Sequence, residues 1–499
     1  MRIALDRIPE AARQGLSAVA AAAGPAAGLW LVGGALRDLL SERPAADLPA
    51  NLPADVPADV DIAVAGGALD LGRRVAERLD AAFVVLDPAR GACRIVPRGA
   101  RVGLDLTDLR APTLEGDLRA RDFTVNALAA SVGDLLREGS AVVVDPTGGL
   151  EDLRARLARV CGPDSIADDP VRALRGVRLA LRPGWRLEAG TEAAIAAAAP
   201  LLAGVSRERI RDELIGILAD PAAGRGFRVL DGLGILAALL PESHAMRATA
   251  QPRPHHFDVW EHSLRAVEGV DALLDGLDVL SPWTATLKAH LAADLGDGLT
   301  RRETLKLAAL LHDVAKPETR AEEGGRVRFI GHDGAGAQRI AGIADRFRLS
   351  RRATHVLERL VAEHLRPMHL AQAGLITRRA RLRFFRALGE EAYDLLLLAL
   401  ADAAALTGAS PLVVWAGEGG DVIRTLLAGA AEETAAAAAP PLLRGEDVMA
   451  AFDLPPGPEV GRLLAIAREA QALGLVSTPQ EALQHLRRIR LTGPGQGLE

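Results

Sequence analysis

The chain has 499 residues, of which 49% are hydrophobic, so it is long enough for about three domains with cores of their own. It has no apolar run of about 18 residues without a charge or a break, which predicts no membrane span, and two cysteines exclude a disulfide framework or a multi-cysteine zinc site. The formal net charge of −6 means that any nucleic-acid partner would have to bind local basic patches.

The first 150 residues alternate short strands and helices. The first ten residues have no apolar signal core, so we expect a cytoplasmic protein. A strand is predicted at Leu29–Val32, followed by a tight turn at Gly33-Gly34 and the start of a helix. The Pro- and Ala-rich segment 41–58 is typical of a flexible loop. Next come a strand with the sequence DVDIAV, a helix, and three strands containing AFVVL, CRIV and VGLDLTDL.

From Leu150 onward the pattern is helical almost without interruption. We predict an α+β fold, in which an N-terminal mixed sheet with helices precedes a mostly α-helical body and an all-α, histidine-rich domain. The predicted divisions are residues 1–150, 151–250, 251–408 and 409–499. The segment at Gln251–Phe257 is the predicted linker before the histidine-rich part.

The strand DVDIAV begins with two carboxylates one residue apart. Because strand side chains alternate between faces, Asp59 and Asp61 share one face. Two carboxylates that close repel each other unless a cation lies between them. The alternative is an exposed strand end with two solvated carboxylates.

A candidate phosphate site precedes this strand. A strand followed by Gly33 and Gly34 and a helix start offers free backbone N–H groups to an anion, and Arg37 could reach a phosphate; the alternative is an ordinary turn. A later strand offers Asp105, with Asp108 as the weaker candidate. Carboxylates on adjacent strands beside a phosphate site suit metal-assisted phosphoryl or nucleotidyl transfer.

Five motifs occur in the order found in bacterial tRNA nucleotidyltransferases and poly(A) polymerases: GGALRD, DVDIAV, RARDFTVNALA, VDPTGGLEDL and DDPVRALRGVRLA. The chain therefore resembles the class II branch of the nucleotidyltransferase superfamily over residues 29 to 240. The resemblance implies that Asp59 and Asp61 hold catalytic Mg²⁺. The pattern of carboxylates on adjacent strands adds Asp105 as a third candidate catalytic residue. It also implies a ribose and triphosphate site, whose residues are Arg119, Arg121, Asp122 and Asn126. From the residues alone, Arg121-Asp122 would be a structural ion pair.

The segment DDPVRALR carries a further candidate. On a helix, Asp169 and Arg172 would face the same way, three residues apart. An aspartate accepts from an exocyclic amine and an arginine donates to a ring nitrogen, a combination that cytosine and adenine present and guanine and uracil do not. The pair resembles the family's protein template for CTP and ATP, and we place Arg175 in the same nucleotide-binding set. The alternative is a surface salt bridge.

Three features depart from the usual family pattern. The Pro-rich insertion before Asp59 is longer than the family pattern leads us to expect, although it leaves the carboxylates in place. Ala120 interrupts the double arginine before DFT. The segment between the Asp105 strand and Arg119 is also shorter than the flexible loop of many members that add the terminal A.

Histidines and carboxylates recur in the second half of the chain. His312-Asp313 ends an apolar helix, and His262, His332, His364 and Asp402 lie on other predicted helices. Ligands converging from separate helices would make a divalent-metal site, whereas one His-Asp pair alone could be a cap or a core pair. Their order resembles the HD phosphohydrolase superfamily over residues 255 to 405. That resemblance implies one metal of unknown identity on His262, His312, Asp313 and Asp402, a second near His332 and His364, and a phosphate contact for Lys316.

The leading hypothesis is a magnesium-dependent, template-independent nucleotidyltransferase that adds C, A or both to tRNA 3′ ends from CTP and ATP, with an attached HD domain. One alternative is a poly(A) polymerase acting on other RNA 3′ ends. The others are a metal-dependent phosphohydrolase with an RNA-binding N-terminal half and a non-catalytic RNA-binding protein. The basic helical segments RRARLRFFRAL and LQHLRRIRL could contact RNA or be solvated faces.

Overall fold

The computed structural model describes residues 1–24, 27–41, 59–98, 103–374 and 376–492. Nearly all of the predicted flexible loop at 41–58 lies outside the described residues. The chain forms two compact units, Met1–Pro241 and Glu242–Glu499. The α+β class predicted from the sequence is confirmed, and the finer four-part division stays a prediction.

The first unit is built on an eight-stranded mixed sheet. The strand order is β1-β8-β7-β2-β3-β6-β5-β4, and only the β3–β6 pair is parallel. The strands are β1 (Arg2–Ala4), β2 (Leu29–Val32), β3 (Val60–Val64), β4 (Ala81–Asp87), β5 (Ala92–Pro97), β6 (Leu104–Asp108), β7 (Ala129–Ser131) and β8 (Ser140–Val144). A short parallel pair, β9 (Leu157–Ala158) and β10 (Arg186–Leu187), lies outside this sheet.

Twelve helices belong to the described part of the first unit. They are α1 (Glu10–Ala23), α2 (Gly33–Leu40), α3 (Ala68–Leu79), α4 (Leu114–Arg119), α5 (Val132–Glu138), α6 (Gly149–Ala155), α7 (Ser165–Asp168), α8 (Arg172–Ala180), α9 (Ala189–Ala198), α10 (Arg207–Leu218), α11 (Ala223–Gly232) and α12 (Ile235–Leu239). Helices α1 and α3 pack against each other, α3 packs on β4, β5 and β6, and Gly15 of α1 lies beside Leu104 of β6. The buried apolar residues of β5 and β6, including Cys93, Ile95 and Leu104, belong to this layer. Residues that alternate with them point to the opposite face, which leaves that face available for a site.

The prediction of a separate turn at Gly33-Gly34 is wrong. Strand β2 ends at Val32 and α2 begins at Gly33, so both glycines form the first turn of the helix. Gly33 makes this direct change possible because its φ is +74°, in the left-handed region that favours glycine.

The second unit is a helical assembly. Its helices are α13 (Glu242–Arg247), α14 (Val259–Asp275), α15 (Thr284–Leu291), α16 (Arg301–Leu311), α17 (Lys316–Thr319), α18 (His332–Arg346), α19 (Arg351–Glu363), α20 (Arg366–Gln372), α21 (Arg378–Leu388), α22 (Glu391–Thr407), α23 (Pro411–Ala416), α24 (Asp421–Ala438), α25 (Gly445–Phe452), α26 (Pro458–Ala472) and α27 (Pro479–Thr492). The expectation of an all-α histidine-rich domain is wrong in one respect. Two small antiparallel pairs interrupt it: β11 (Asp294–Gly296) with β12 (Leu299–Thr300), and β13 (Ala321–Glu323) with β14 (Arg326–Arg328).

Helix α16 is the centre of the histidine-rich region. It packs against α14, α19 and α22, and its residues from Thr304 to Leu311 are all buried. A capping box formed by Thr300 and Glu303 fixes its first turn, so the helix delivers His312 at its C-terminal end to the interior. A separate apolar cluster, which includes Val448, Leu463 and Leu486, joins α25, α26 and α27. None of the helices in the described ranges is both long and apolar enough to cross a membrane.

Candidate functional site

The predicted carboxylates meet on one face of the sheet in the first unit. Strands β3 and β6 are parallel, and Asp61 lies directly opposite Asp105. Asp59 precedes β3 by one residue and therefore shares the face of Asp61. The intervening Val60 and the following Ile62 are buried on the other side. The alternation inferred from DVDIAV thus brings together three carboxylates that are far apart in the sequence.

Arg94 joins this cluster, and nothing in the sequence pointed to it. It lies opposite Asp105 on the neighbouring strand β5. Its Nε donates to Asp105 Oδ1 at 2.8 Å and its Nη2 to Oδ2 at 2.7 Å. The same Nη2 lies 2.7 Å from Asp59 Oδ2. A lone arginine on a half-exposed strand resembles a solvated side chain, and only the strand order reveals its partners.

Burial and the nearby carboxylates change the pKa of Asp61. Burial and the neighbouring charges of Asp105 and Asp59 raise the pKa of Asp61 to about 6, although Arg121 acts in the opposite direction. A cation bound beside Asp61 would therefore stabilise the ionised form of this carboxylate. Oxygen ligands on adjacent strands are those that Mg²⁺ prefers in proteins, so the residues present fit that ion.

The start of α2 closes one side of the cluster. Arg37 is only 7% exposed and donates to Asn126 Oδ1 at 2.6 Å. It also forms a two-pronged ion pair with Asp38, at 2.9 and 3.0 Å. Asp38 in turn accepts from Arg182 at 2.5 and 3.0 Å. Arg37 is thus held rigidly by protein groups at the cleft wall.

Asp122 organises the residues beside α2. Burial alone would raise the pKa of Asp122, but Arg175 and hydrogen bonds from Asn126 and the Phe123 N–H lower it to about 2. Arg175 Nη1 lies 2.8 Å from Asp122 Oδ2, and its Nε donates to Glu213 at 3.0 Å. Arg121 instead pairs with Asp117, at 3.0 and 3.1 Å. Arg121 and Asp122 therefore have separate partners, so the alternative of a mutual ion pair is wrong.

The pair predicted to select the base, Asp169 and Arg172, is formed differently from the prediction. Asp169 lies outside the helix, with φ −148° and ψ 88°, and α8 begins only at Arg172. Pro170 explains this, because the residue before a proline is disfavoured in the α conformation. The side chains still approach each other, with Arg172 Nε 3.8 Å from Asp169 Oδ2. Arg172 donates to Ser165 Oγ at 2.9 Å, and Asp169 accepts from Arg209 at 2.7 Å.

These groups line one cleft of about 920 Å³ within the first unit. The predicted residues on its wall are Gly33, Gly34, Arg37, Asp59, Asp61, Asp105, Arg121, Asp122, Asn126, Asp169, Arg172 and Arg175. Arg119 is exposed at the end of α4 and does not line the cleft. Asp108 accepts from the Ala68 N–H at 2.8 Å at the start of α3, so its role is structural.

The second unit holds two candidate metal groups. His262, His312 and Asp402 form one, and Asp313, His332 and His364 form the other. Asp313 faces both groups: its Oδ2 lies 3.2 Å from His312 Nε2, and its Oδ1 lies 3.3 Å from His332 Nε2. Lys316 Nζ lies 2.6 Å from Asp313 Oδ2 and donates to Gln251 at 2.8 Å. The predicted ligands are therefore all present, with Asp313 between the two groups.

Hydrogen bonds orient three of the four histidines for metal binding. The Nδ1 atoms of His312, His332 and His364 lie 2.9, 2.6 and 2.8 Å from the backbone carbonyls of Ala309, Phe329 and Val361. Since a carbonyl can only accept, each Nδ1 carries a proton, and in the neutral imidazole each Nε2 presents a lone pair to a metal. The Nε2 atoms converge, with 3.3 Å between His262 and His312 and 3.1 Å between His332 and His364.

The charges of this centre fit divalent cations. Burial alone would lower the pKa of His312, but Asp313 and Asp402 raise it to about 10. Burial and the charge of His312 lower the pKa of His364 to about 4. Without a metal, a proton on His312 supplies positive charge between the carboxylates. Imidazoles and carboxylates in this arrangement can hold two divalent metals, and the donor set does not select among them.

The two basic segments are partly committed to the protein itself. In α21, Arg379 and Arg383 pair with Glu469 of α26, and Arg378 donates to the Leu473 carbonyl at 3.0 Å. These contacts favour a structural role for much of that helix. In α27, Arg490 lies over the ring of Phe452 at 5.4 Å.

Three family profiles match successive segments of the chain, and two of these segments contain the three carboxylates of the cleft and the histidine centre, respectively. Residues 29–159 match the profile of the "Poly A polymerase head domain", and residues 259–407 match the "HD domain". Between them, residues 184–246 match the "Probable RNA and SrmB- binding site of polymerase A". The class defined by fold and site is therefore a nucleotidyltransferase with an HD domain.

Curated relatives extend over nearly the whole chain. The "A-adding tRNA nucleotidyltransferase" of Deinococcus radiodurans is 37% identical over 94% of this chain and 97% of its own length. The "CC-adding tRNA nucleotidyltransferase" of Geobacter sulfurreducens is 32% identical over 94% and 93%. The chain belongs to the tRNA nucleotidyltransferase family, so the enzyme class expected from the motifs is confirmed.

Solved structures show the same fold. A CCA-adding enzyme of Thermotoga maritima, complexed with tRNA, matches with a TM-score of 0.58 and 18% identity, covering 98% of this chain and 99% of that one. A CCA-adding enzyme of Bacillus stearothermophilus, in complex with CTP, matches with a TM-score of 0.60 and 22% identity, covering 97% and 99%.

Proposed function

We propose that this enzyme adds C, A or both to the 3′ end of tRNA, using CTP and ATP. The observation that carries the proposal is the single cleft in which Asp59, Asp61 and Asp105 lie on the same wall as Asp169 and Arg172. The relatives named A-adding and CC-adding support tRNA as the substrate. A cytoplasmic site of action belongs to the same proposal.

In this proposal Asp59 and Asp61 hold Mg²⁺. When bound, the ion supplies a positive charge that stabilises the reacting phosphate. The chain's own residues fix the geometry: Asp122 holds Arg175, and Asn126 holds Arg37, so two guanidiniums are preset at the cleft wall beside the triphosphate. The 3′ hydroxyl of the RNA attacks the α-phosphate, the P–O bond to the β-phosphate breaks, and pyrophosphate leaves.

Asp169 and Arg172 select the base. The carboxylate accepts from an exocyclic amine, and the guanidinium donates to the adjacent ring nitrogen. Arg209 donates to Asp169 and Arg172 donates to Ser165, so contacts within the protein already orient both side chains. Cytosine and adenine fit this pattern, whereas uracil and guanine present a carbonyl where the amine is required.

The experiment uses tRNA transcripts that end before CCA, after C and after CC, each incubated with labelled CTP, ATP or both. Addition limited to two C residues identifies a CC-adding enzyme, and addition of one A only to the CC end identifies an A-adding enzyme. An enzyme that adds both the two C residues and the final A would complete the CCA end. Incorporation of ATP alone over many cycles, irrespective of the RNA end, would favour the poly(A) polymerase alternative instead.

We further propose that the second unit hydrolyses phosphoesters with divalent metals held by His262, His312 and Asp402 and by Asp313, His332 and His364. The position of Asp313 between the two groups supports a pair of metals, which would supply a nucleophilic water at neutral pH. Hydrolysis of a generic phosphodiester, tested with Mn²⁺, Ni²⁺, Co²⁺ and Mg²⁺ in turn, checks this activity. No hydrolysis with any of them would contradict it.

A further inference from the structure

Arg94 is the one cation in direct contact with two of the three carboxylates among the described residues of the cleft. It forms both bonds of a fork with Asp105, so each oxygen of that carboxylate already accepts from the guanidinium, at 2.8 and 2.7 Å. Its contact with Asp59 uses one oxygen only, Oδ2, at 2.7 Å. Asp105 is therefore satisfied by protein groups, whereas Asp59 keeps one oxygen available.

The row of charges follows from strand register. Arg94, Asp105 and Asp61 are consecutive cross-strand neighbours on β5, β6 and β3. A bidentate arginine–carboxylate pair is planar and strongly oriented, so Arg94 fixes the direction of Asp105. At 38% exposure, the arginine borders the open cleft and is not part of the hydrophobic core.

A charge count gives the consequence. Within the row, three ionised carboxylates carry three negative charges and Arg94 carries one positive charge, so two negative charges remain for one divalent cation to neutralise. Arg121, which also acts on Asp61, is not counted because its charge is paired with Asp117. Without Arg94, Asp105 would become an additional ligand and the site would attract cations more strongly.

We propose that Arg94 is a positioning residue that neutralises Asp105 and limits the nucleotide-free site to one divalent cation on Asp59 and Asp61. A second metal would then enter only with the triphosphate, whose phosphates supply the missing negative charge. The inference rests on the proposed function, since it assigns a role to Arg94 in the same cleft. In this inference Asp105 does not bind the metal in the nucleotide-free protein, because Arg94 occupies both of its carboxylate oxygens.

The test measures Mn²⁺ binding to the nucleotide-free, full-length protein by electron paramagnetic resonance of the unbound ion. An Asp59→Asn/Asp61→Asn double variant gives the background from the HD centre, which is subtracted. The compared proteins are wild type, Arg94→Gln, Arg94→Lys and the control Arg98→Gln. Arg98 is an exposed neighbour of the same hairpin, 3.6 Å from Asp80. Circular dichroism checks that each protein folds.

We expect one Mn²⁺ per wild-type cleft and binding about ten-fold tighter in Arg94→Gln, because one nearby positive charge is lost. Arg94→Lys keeps the charge and should bind Mn²⁺ as wild type does, as should Arg98→Gln. The Mg²⁺ concentration for half-maximal transfer should fall in Arg94→Gln, together with kcat.

Unchanged or weaker Mn²⁺ binding in Arg94→Gln would overturn the inference. So would an equal change in the lysine variant. Should the glutamine variant not fold, the wild-type count still decides, because two Mn²⁺ ions in the nucleotide-free wild-type cleft would also overturn the inference. A raised KM for the nucleotide with unaltered Mn²⁺ binding would show that Arg94 contacts the nucleotide instead. Failure of the proposed function is a separate result: the wild type would then bind Mn²⁺ but incorporate neither C nor A.

Discussion

The carboxylate of Asp61 lies against the backbone of Gly33, so closely that a Cβ at Gly33 would come within 2.5 Å of Asp61 Oδ2. Gly33 also has a φ of +74°. Both facts require glycine where β2 passes into α2, since any larger residue would displace the carboxylate and strain the backbone. The start of the helix and the proposed metal ligand are therefore fixed by one contact.

Replacing Gly33 tests this contact. In Gly33→Ala the new methyl group should push Asp61 out of the carboxylate row, and nucleotide transfer should fall by about 10²-fold, the cost typical of a misplacement of about 1 Å. Steady-state incorporation of labelled CTP or ATP measures the loss. Gly162→Ala is the control, because no atom lies within 4 Å of its added Cβ. Equal activity in the two variants would show that the contact with Asp61 is unimportant.

Asp169 and Arg172 should determine which nucleotides are accepted. Arg172→Ala and Asp169→Ala each remove one half of the recognition pattern, so the preference for CTP or ATP over UTP and GTP should shrink by about ten- to a hundred-fold. The measurement compares kcat/KM for all four triphosphates. The exposed neighbour Asp168 provides the matched control, Asp168→Ala. Undiminished selectivity in both pair variants would exclude a role in base recognition.

Asp122 should contribute to stability in a pH-dependent manner. Its pKa is lowered from 3.8 to about 2 in the folded protein. A lowered pKa stabilises the folded state above the unfolded-state value, and this contribution is lost as the pH falls from about 4 through about 2. The difference corresponds to about 2 kcal/mol. Asp122→Asn should therefore lower the free energy of unfolding by about 2 kcal/mol at pH 7.

Urea unfolding at a series of pH values measures this effect. The difference between wild type and Asp122→Asn should narrow below pH 4 as the wild-type carboxylate is protonated. Asp134→Asn, which removes an exposed pair with Arg137, should change little at any pH. A difference that stays constant from pH 7 to pH 2 would mean that the charge of Asp122 is not responsible.

The histidine centre should lose its metals one group at a time. His312→Ala removes a ligand of the His262 group and His364→Ala a ligand of the His332 group, so each should lower the bound metal by about one ion per chain. Elemental analysis after dialysis against Mn²⁺ measures the content. His355 is an exposed histidine on α19, the helix that ends just before His364. The control His355→Ala should therefore keep the full metal content. Unchanged metal content in both ligand variants would disprove the assignment.

The sequence alone predicted those features of the site that depend on the local alternation of side chains or on the order of motifs. Strand alternation placed Asp59 and Asp61 on one face before any strand order was known, and the motif order indicated the family. The break at Asp169 was also visible in principle, because Pro170 disfavours a helical residue before it.

What could not be predicted depends on contacts between distant segments. Arg94 acquires its partners only through the order β3-β6-β5, which no single strand encodes. The position of Asp313 between two metal groups depends on which of its oxygens faces which histidine. The three-residue strand β1 is too short to show a period.

The most direct test of the transfer site compares wild type with Asp61→Asn on a tRNA transcript lacking CCA, with labelled CTP and ATP. Asn keeps the size of the side chain but removes the charge that Mg²⁺ requires, so incorporation should fall by at least about 10²-fold. Asp70→Asn, on the exposed face of α3, should retain wild-type incorporation. Wild-type incorporation by Asp61→Asn would contradict the assignment of this cleft as the site of nucleotide transfer.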